Sequence, residues 1–171
     1  LPAIALPDTA VPNSATVFLR EFGTILTPFL GGPEQYVDRV GTRWGLRVSL
    51  PPKRTRDEAM VIQSRLLQGR KSRLIMPWPQ PGVLIGSPGN PLVSASMVGG
   101  TTIPLKGLAA GYTAREGQFL SVIHAGRRYV YMLTADATAD GTGNASAAIF
   151  PLLRTPLSVN DVVEISRPMI E

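Results

Sequence analysis

Ser121 and His124 stand three residues apart, and Asp136 and Asp140 follow. A nucleophilic triad would need these groups to converge beside an oxyanion hole. The chain has no Gly-x-Ser-x-Gly elbow, and on a strand two residues three apart point to opposite faces. The pair is therefore read as structural, with His124 a turn residue. Residues 136–144, DATADGTGN, faintly resemble a calcium loop. They lack the alternating acidic spacing and the closing glutamate of an EF-hand, and read instead as a hairpin loop of turn formers. Gly99-Gly100 lacks the Lys-Ser/Thr of a phosphate cradle, and Gly31-Gly32-Pro33 is a turn. Asp57 and Glu58 belong to a helix start, and Asp161 and Glu164 frame a strand. There is no cysteine, so disulfides, thiolate catalysis and Cys-ligated zinc drop out. No catalytic, cofactor-binding or metal-ligating residue is assigned, and the chain is not read as an enzyme.

Binding chemistry leaves more to weigh. Phe119, Tyr129 and Tyr131 lie among Arg127 and Arg128, a mixture that a small barrel could offer to single-stranded nucleic acid. Two tyrosines on a half-buried strand are also ordinary packing. Trp44 or Trp78, if exposed, could stack on a sugar. The net charge of +5 and pI near 10.1 fit either nucleic acid or an acidic protein surface as partner. Basic clusters at Lys53-Arg54-Thr55-Arg56 and Arg70-Lys71-Ser72-Arg73 read as solvated faces.

The elements that position these groups are mainly β. Gly 17 and Pro 16 in 171 residues, with 44% hydrophobic content, indicate a globular chain of short strands and many turns. Residues 1–15, with Pro2, Pro7 and Pro12, read as an extended arm, a strand edge or a reach onto a neighbouring subunit, and not as a signal peptide. Residues 16–80 read as an α+β, ring-forming sandwich part. Within it the apolar spacing 18, 22, 25, 29 fits a helix face, but Gly23, Thr24, Thr27 and Pro28 favour short strands or a single helical turn. Residues 43–50 alternate, with Trp44, Leu46, Val48 and Leu50 on the buried face. Thr55 and Glu58 form a capping box for a helix at 56–68, with Ala59, Ile62 and Leu66, joined by Met60 and Leu67, as its buried stripe and Gly69 as a left-handed stop. Leu74-Ile75-Met76 is a strand, and residues 79–89 are a connection that holds a short strand at 83–85. Residues 90–171 read as a small β-barrel with strands near 94–98, 101–105, 119–123, 129–134, 145–150 and 161–165. Ala125-Gly126 makes a tight hairpin. No apolar run approaches the ~20 residues that span a bilayer.

The order of these pieces carries a resemblance. Arg43-Trp44-Gly45-Leu46-Arg47-Val48-Ser49-Leu50-Pro51-Pro52 precedes one helix and Leu74-Ile75-Met76-Pro77. Gly117-Gln118, Gly126-Arg127-Arg128-Tyr129, Ala139-Asp140-Gly141-Thr142-Gly143-Asn144-Ala145 and Pro151-Leu152-Leu153-Arg154 follow. Over residues 30–171 this resembles tail proteins of long-tailed bacteriophages and phage-derived gene transfer particles, above all distal tail and tail-tip components. The resemblance implies a virion structural protein of the tail, assembled in the host cytoplasm. It would form a homo-oligomeric ring, commonly of six copies, that joins the tail tube protein to the tail-tip hub or baseplate. It implies no cofactor, no membrane and no specific nucleic acid, although DNA passes through such an assembly. The chain is shorter than the longer members, so a ring protein and a shorter tail neighbour both stay open. A basic bore would hold phosphates, so Arg43, Arg47 and Arg73 are expected to face partners or the outside. The alternative is a nucleic-acid-binding or carbohydrate-binding small barrel.

Overall fold

Short alternating segments punctuated by glycine and proline fold into strands around one helix in the computed structural model, which describes residues 3–7, 9–53 and 56–171. In chain order these are β1 (Ala3–Ala5), β2 (Ser14–Arg20), β3 (Thr24–Leu26), β4 (Gln35–Val37), β5 (Arg43–Ser49), α1 (Arg56–Gly69), β6 (Arg73–Pro77), β7 (Gly89–Val93) and β8 (Thr102–Leu108). Then follow β9 (Thr113–Ala114), β10 (Phe119–His124), β11 (Arg127–Leu133), β12 (Ala137–Thr138), β13 (Ala145–Phe150), β14 (Val162–Glu164) and β15 (Met169–Ile170). The chain is mainly β with one helix among the described residues, as its composition indicates.

The second half closes into a six-stranded antiparallel barrel in the order β7-β8-β13-β11-β10-β14 and back to β7. Closure removes the unpaired edges of the barrel sheet. Ile103 and Leu105 from β8, Leu120 and Val122 from β10, Tyr131 and Leu133 from β11, and Ala147 and Ile149 from β13 point inward at period two. All eight are fully or almost fully buried, and cutting any of the large aliphatic ones back to alanine costs about 2–5 kcal/mol. The β10–β11 turn is Ala125-Gly126, with φ of 48° and 73°, the double left-handed geometry that suits a two-residue hairpin.

Two local expectations change. A strand near 94–98 is replaced by β7 at Gly89–Val93, and Met97 makes only an isolated bridge to Leu157. Pro91 lacks an N–H, which argues against a strand there. The β7–β8 register shifts between Gly89 and Leu92, so the proline sits where a ladder bond is already missing. Residues 83–85 are not a strand. Ile85 instead packs on the barrel core, and its carbonyl accepts the Tyr112 hydroxyl at 2.9 Å.

The first half is more open. β2 pairs with β5, and β3 pairs with β4, as two separate two-stranded ribbons. β1 lies parallel to β6 at the edge of a three-stranded sheet, and β15 pairs with the other side of β6. Residues 3–5 of the proposed arm therefore fold back on their own chain, and β2 already begins at Ser14. Within β5, Trp44, Leu46 and Val48 are half-buried, whereas Arg47 and Ser49 are exposed.

The helix forms where expected but is not buried as expected. Asp57 and Glu58 stand in its first turn, favourable at the positive end of the dipole. Thr55 of the capping box, and Arg54 beside it, lie outside the described residues. Of the anticipated stripe only Ile62 is buried. Met60, Leu66 and Leu67 are exposed, because α1 packs mainly on the short strands β1 and β6 and leaves this face uncovered. Gly69 does not take a left-handed φ. The helix ends instead on tight bonds from Arg70 N to Leu67 O at 3.2 Å and Lys71 N to Gln68 O at 3.1 Å. A Cβ on Gly69 would stand 3.2 Å from Leu74 Cβ, so its size serves packing.

Candidate functional site

The residues singled out for acid–base chemistry are held in separate networks. Ser121 is fully buried on the outer side of the barrel wall. Its hydroxyl donates to Glu164 Oε2 at 2.6 Å and accepts the Met169 N–H at 3.0 Å, which ties β15 to β10. His124 is the last residue of β10 rather than a turn residue. Its Nδ1 lies 2.7 Å from Asp161 Oδ2, and the same carboxylate oxygen accepts Ser158 N–H at 2.7 Å. Asp136 accepts Arg115 at 2.7 Å and Glu116 N–H at 2.8 Å, and that backbone donor followed by the guanidinium lowers its pKa. Asp140 accepts the N–H groups of Asn144 and Thr142 at 2.9 and 2.8 Å and the Thr142 hydroxyl at 2.7 Å. These bonds favour the charged form and bring its pKa down to about 2. The loop at 136–144 is thus organised by one aspartate folding backbone donors around itself. Among the described residues, no three His, Cys, Asp or Glu side chains gather as a metal site would require.

The aromatic-basic face is used inside the molecule. Tyr131 is fully buried, and its hydroxyl accepts Arg154 N–H at 3.1 Å. Burial raises its pKa. The Arg154 guanidinium lies 5.3 Å from the Tyr129 ring centre. Phe119 meets Trp44 edge-on at 5.2 Å and Trp78 at 4.9 Å. Trp44 also meets Phe150 at 6.1 Å, and its Nε1–H donates to the Phe150 carbonyl at 3.1 Å. Four aromatic rings from β5, β10, β13 and the segment after β6 therefore fasten the ribbon to the barrel. A sugar platform needs an open ring face. Trp78 is 4% exposed, and Trp44 is half-buried in this cluster. Arg128 contacts both Glu164 oxygens at 3.3 Å, and its N–H donates to Glu171 at 3.2 Å.

Two surfaces beside β2 are open to another molecule. The first is a cleft of about 450 Å³ between β2, β5 and the barrel, lined in part by Phe18, Arg20, Arg43, Trp44 and Arg154. No carboxylate among the described residues makes an ion pair with Arg20, Arg43 or Arg154. Burial, then the nearby Arg43 charge, lowers the Arg154 pKa. Arg20 and Arg43 lie over the Phe22 ring at 5.4 and 5.5 Å. Glu171 also lines the cleft but is engaged by Arg73 and the Arg128 N–H, so the arginines outnumber it and the excess positive charge favours an anionic group from outside.

The second surface is apolar. Phe18, Phe22, Ile25, Leu26, Phe29 and Leu30 are exposed along β2, the link to β3 and the β3–β4 hairpin. Phe29 and Leu30, at 101% and 93% exposure, cap the hairpin and touch almost nothing in their own chain. Scattered exposed apolar residues are normal on a folded protein, but six large ones within residues 18–30, two of them almost wholly exposed, are what a partner would cover. The sequence marks a turn at Gly31-Gly32-Pro33, whereas the structure closes one from Pro28 to Gly31 and so places Phe29 and Leu30 at its corner as an apolar tip. The adjacent pair Phe29-Leu30 ahead of a glycine turn was the available signal.

No protein-family model matches the chain, and a search of curated proteins finds no match.

Proposed function

We propose that this chain is a structural protein of a bacteriophage tail. Copies of it form a ring that joins the tail tube to the tail tip or baseplate. The observation that carries this reading is the number of large apolar side chains left exposed between residues 18 and 30, with Phe29 and Leu30 almost wholly in solvent. Water exposure of that surface is unfavourable by roughly 25 cal/mol per Å², so covering it with a neighbour stabilises an assembly. β2 and β5 each keep one unpaired edge, a template for strand addition by a partner. The closed barrel offers no such edge and suits a rigid module carried on the ring. Work at this surface is mating rather than catalysis, and the resemblance over residues 30–171 supplies the identity of the partners: the tail tube protein and hub proteins. A gold-labelled antibody against the chain, applied to intact tailed particles, tests this. Label at the distal end of the tail is expected; label on the head, or on no particle, sinks it.

The cleft formed by Arg20, Arg43 and Arg154 favours one second reading, a module that binds nucleic acid through phosphates. A gel shift with single-stranded DNA decides between them. The tail reading expects no shift even at low salt.

A further inference from the structure

The β3–β4 hairpin and the helix face pose the same question from two sides. The hairpin tip offers Phe29 and Leu30 to solvent, shaped by a turn in which Gly31 N–H donates to Pro28 O at 3.2 Å. The Thr27 hydroxyl donates to Glu34 at 3.4 Å across the base of that loop. The helix offers an open apolar groove of about 530 Å³, floored by Ile62, Leu66 and Leu67 against Leu50, with Lys53 and Arg70 at its rim. Each surface is unpartnered among the described residues of its own chain.

We propose that the hairpin tip of one copy seats in the α1 groove of the next, an inference that rests on the ring reading above. Three observations select a second copy as the occupant. The chemistry matches: one aromatic and one aliphatic side chain face a groove walled by leucine and isoleucine. The capacity matches, since a space of this size holds a phenylalanine and a leucine side chain together. The charges match as well. Residues 24–37 carry Glu34 and no basic side chain, whereas residues 50–71 carry six basic against two acidic ones. Glu34 then approaches Lys53 and Arg70 as the tip enters. The two patches are different surfaces of the chain, so the contact is head-to-tail. Such a contact repeats from copy to copy and closes into a ring when the rotation between copies allows.

The absence of cysteine makes the test direct. Leu30→Cys and Leu66→Cys chains, purified separately and mixed with oxidised glutathione as oxidant, are expected to give a 30–66 disulfide as the main product. Val98→Cys, on an exposed barrel loop, is the control position. Mixed products in which 30–30 or 30–98 bridges equal 30–66 overturn the proposal, and so does the absence of any 30–66 bridge. Charge reversal gives an independent reading without cysteines: Glu34→Arg is expected to weaken self-association by about tenfold, and Arg70→Glu in the same chain to restore part of it. Rescue by the second change excludes simple misfolding, and failure of rescue counts against the contact. Rings that form without a 30–66 bridge sink this contact and leave the ring reading standing. A chain that stays monomeric at every concentration sinks both.

Discussion

Replacing Ser121 by alanine removes a single oxygen, yet that oxygen serves two strands. It donates to the Glu164 carboxylate at 2.6 Å and accepts the Met169 N–H at 3.0 Å. A hydrogen bond to a charged group contributes about 1.5–3 kcal/mol, and a buried donor left without a partner costs about 1–3 kcal/mol. Glu164 keeps Arg128, and both Glu164 and Met169 are only half-buried. Water therefore recovers part of each loss, which brings the expected cost of Ser121→Ala to about 2–3 kcal/mol. Urea unfolding followed by tryptophan emission measures it, because the Trp78 backbone N–H donates to Pro168 O beside β15 and so places this tryptophan next to that strand. Limited proteolysis should also cut near residues 166–171 faster in the variant. A change below about 0.5 kcal/mol with unaltered proteolysis would refute the reasoning, since it would mean that neither bond matters to β15.

Three further outcomes follow from the same geometry. Asp140, with its pKa drawn down to about 2, binds fewer protons folded than unfolded; its stabilising effect is complete above the ordinary value of 3.8 and fades as pH falls toward 2. Carboxyl carbon shifts in an NMR titration should place its midpoint near 2; a midpoint near 3.8 contradicts the loop geometry. Gly143→Ala forces a side chain into φ 81° and a Cβ 2.3 Å from Leu108 O, so it should destabilise by more than about 2 kcal/mol, while Gly126→Ala, with φ 73° and open space, should cost about 1 kcal/mol. Equal thermal shifts for the two would remove the steric argument. Phe119→Ala opens the contact among Trp44, Trp78 and Phe119, and should cost about 3 kcal/mol and red-shift tryptophan emission; unchanged emission would mean that the ribbon is not fastened there.

What could be read ahead of the structure was local. The Ala125-Gly126 hairpin, the Asp140 loop and the helix at 56–68 are each set by chemistry within a few residues. Barrel strands were legible from period-two alternation in Ile103, Leu105, Leu120 and Val122. β7 was displaced because Pro91 argues against a strand unless the bulge that accommodates it is known. Helix periodicity marked Leu66 and Leu67 as one apolar stripe, but it cannot say whether the same chain or another molecule covers that stripe. Partners far apart in sequence stayed hidden: Ser121 with Glu164, His124 with Asp161, and Trp44 with Phe150 are 43, 37 and 106 residues apart. The arginine cleft joins residues 20, 43 and 154 through tertiary packing alone.

Electron microscopy of the purified chain at high concentration, with two-dimensional averaging, bears most directly on the claim that exposed apolar ribbons exist to mate copies of this protein. Closed rings with three-fold or six-fold symmetry are expected. A field of single 18.3 kDa particles, with scattering mass unchanged by concentration, would contradict it.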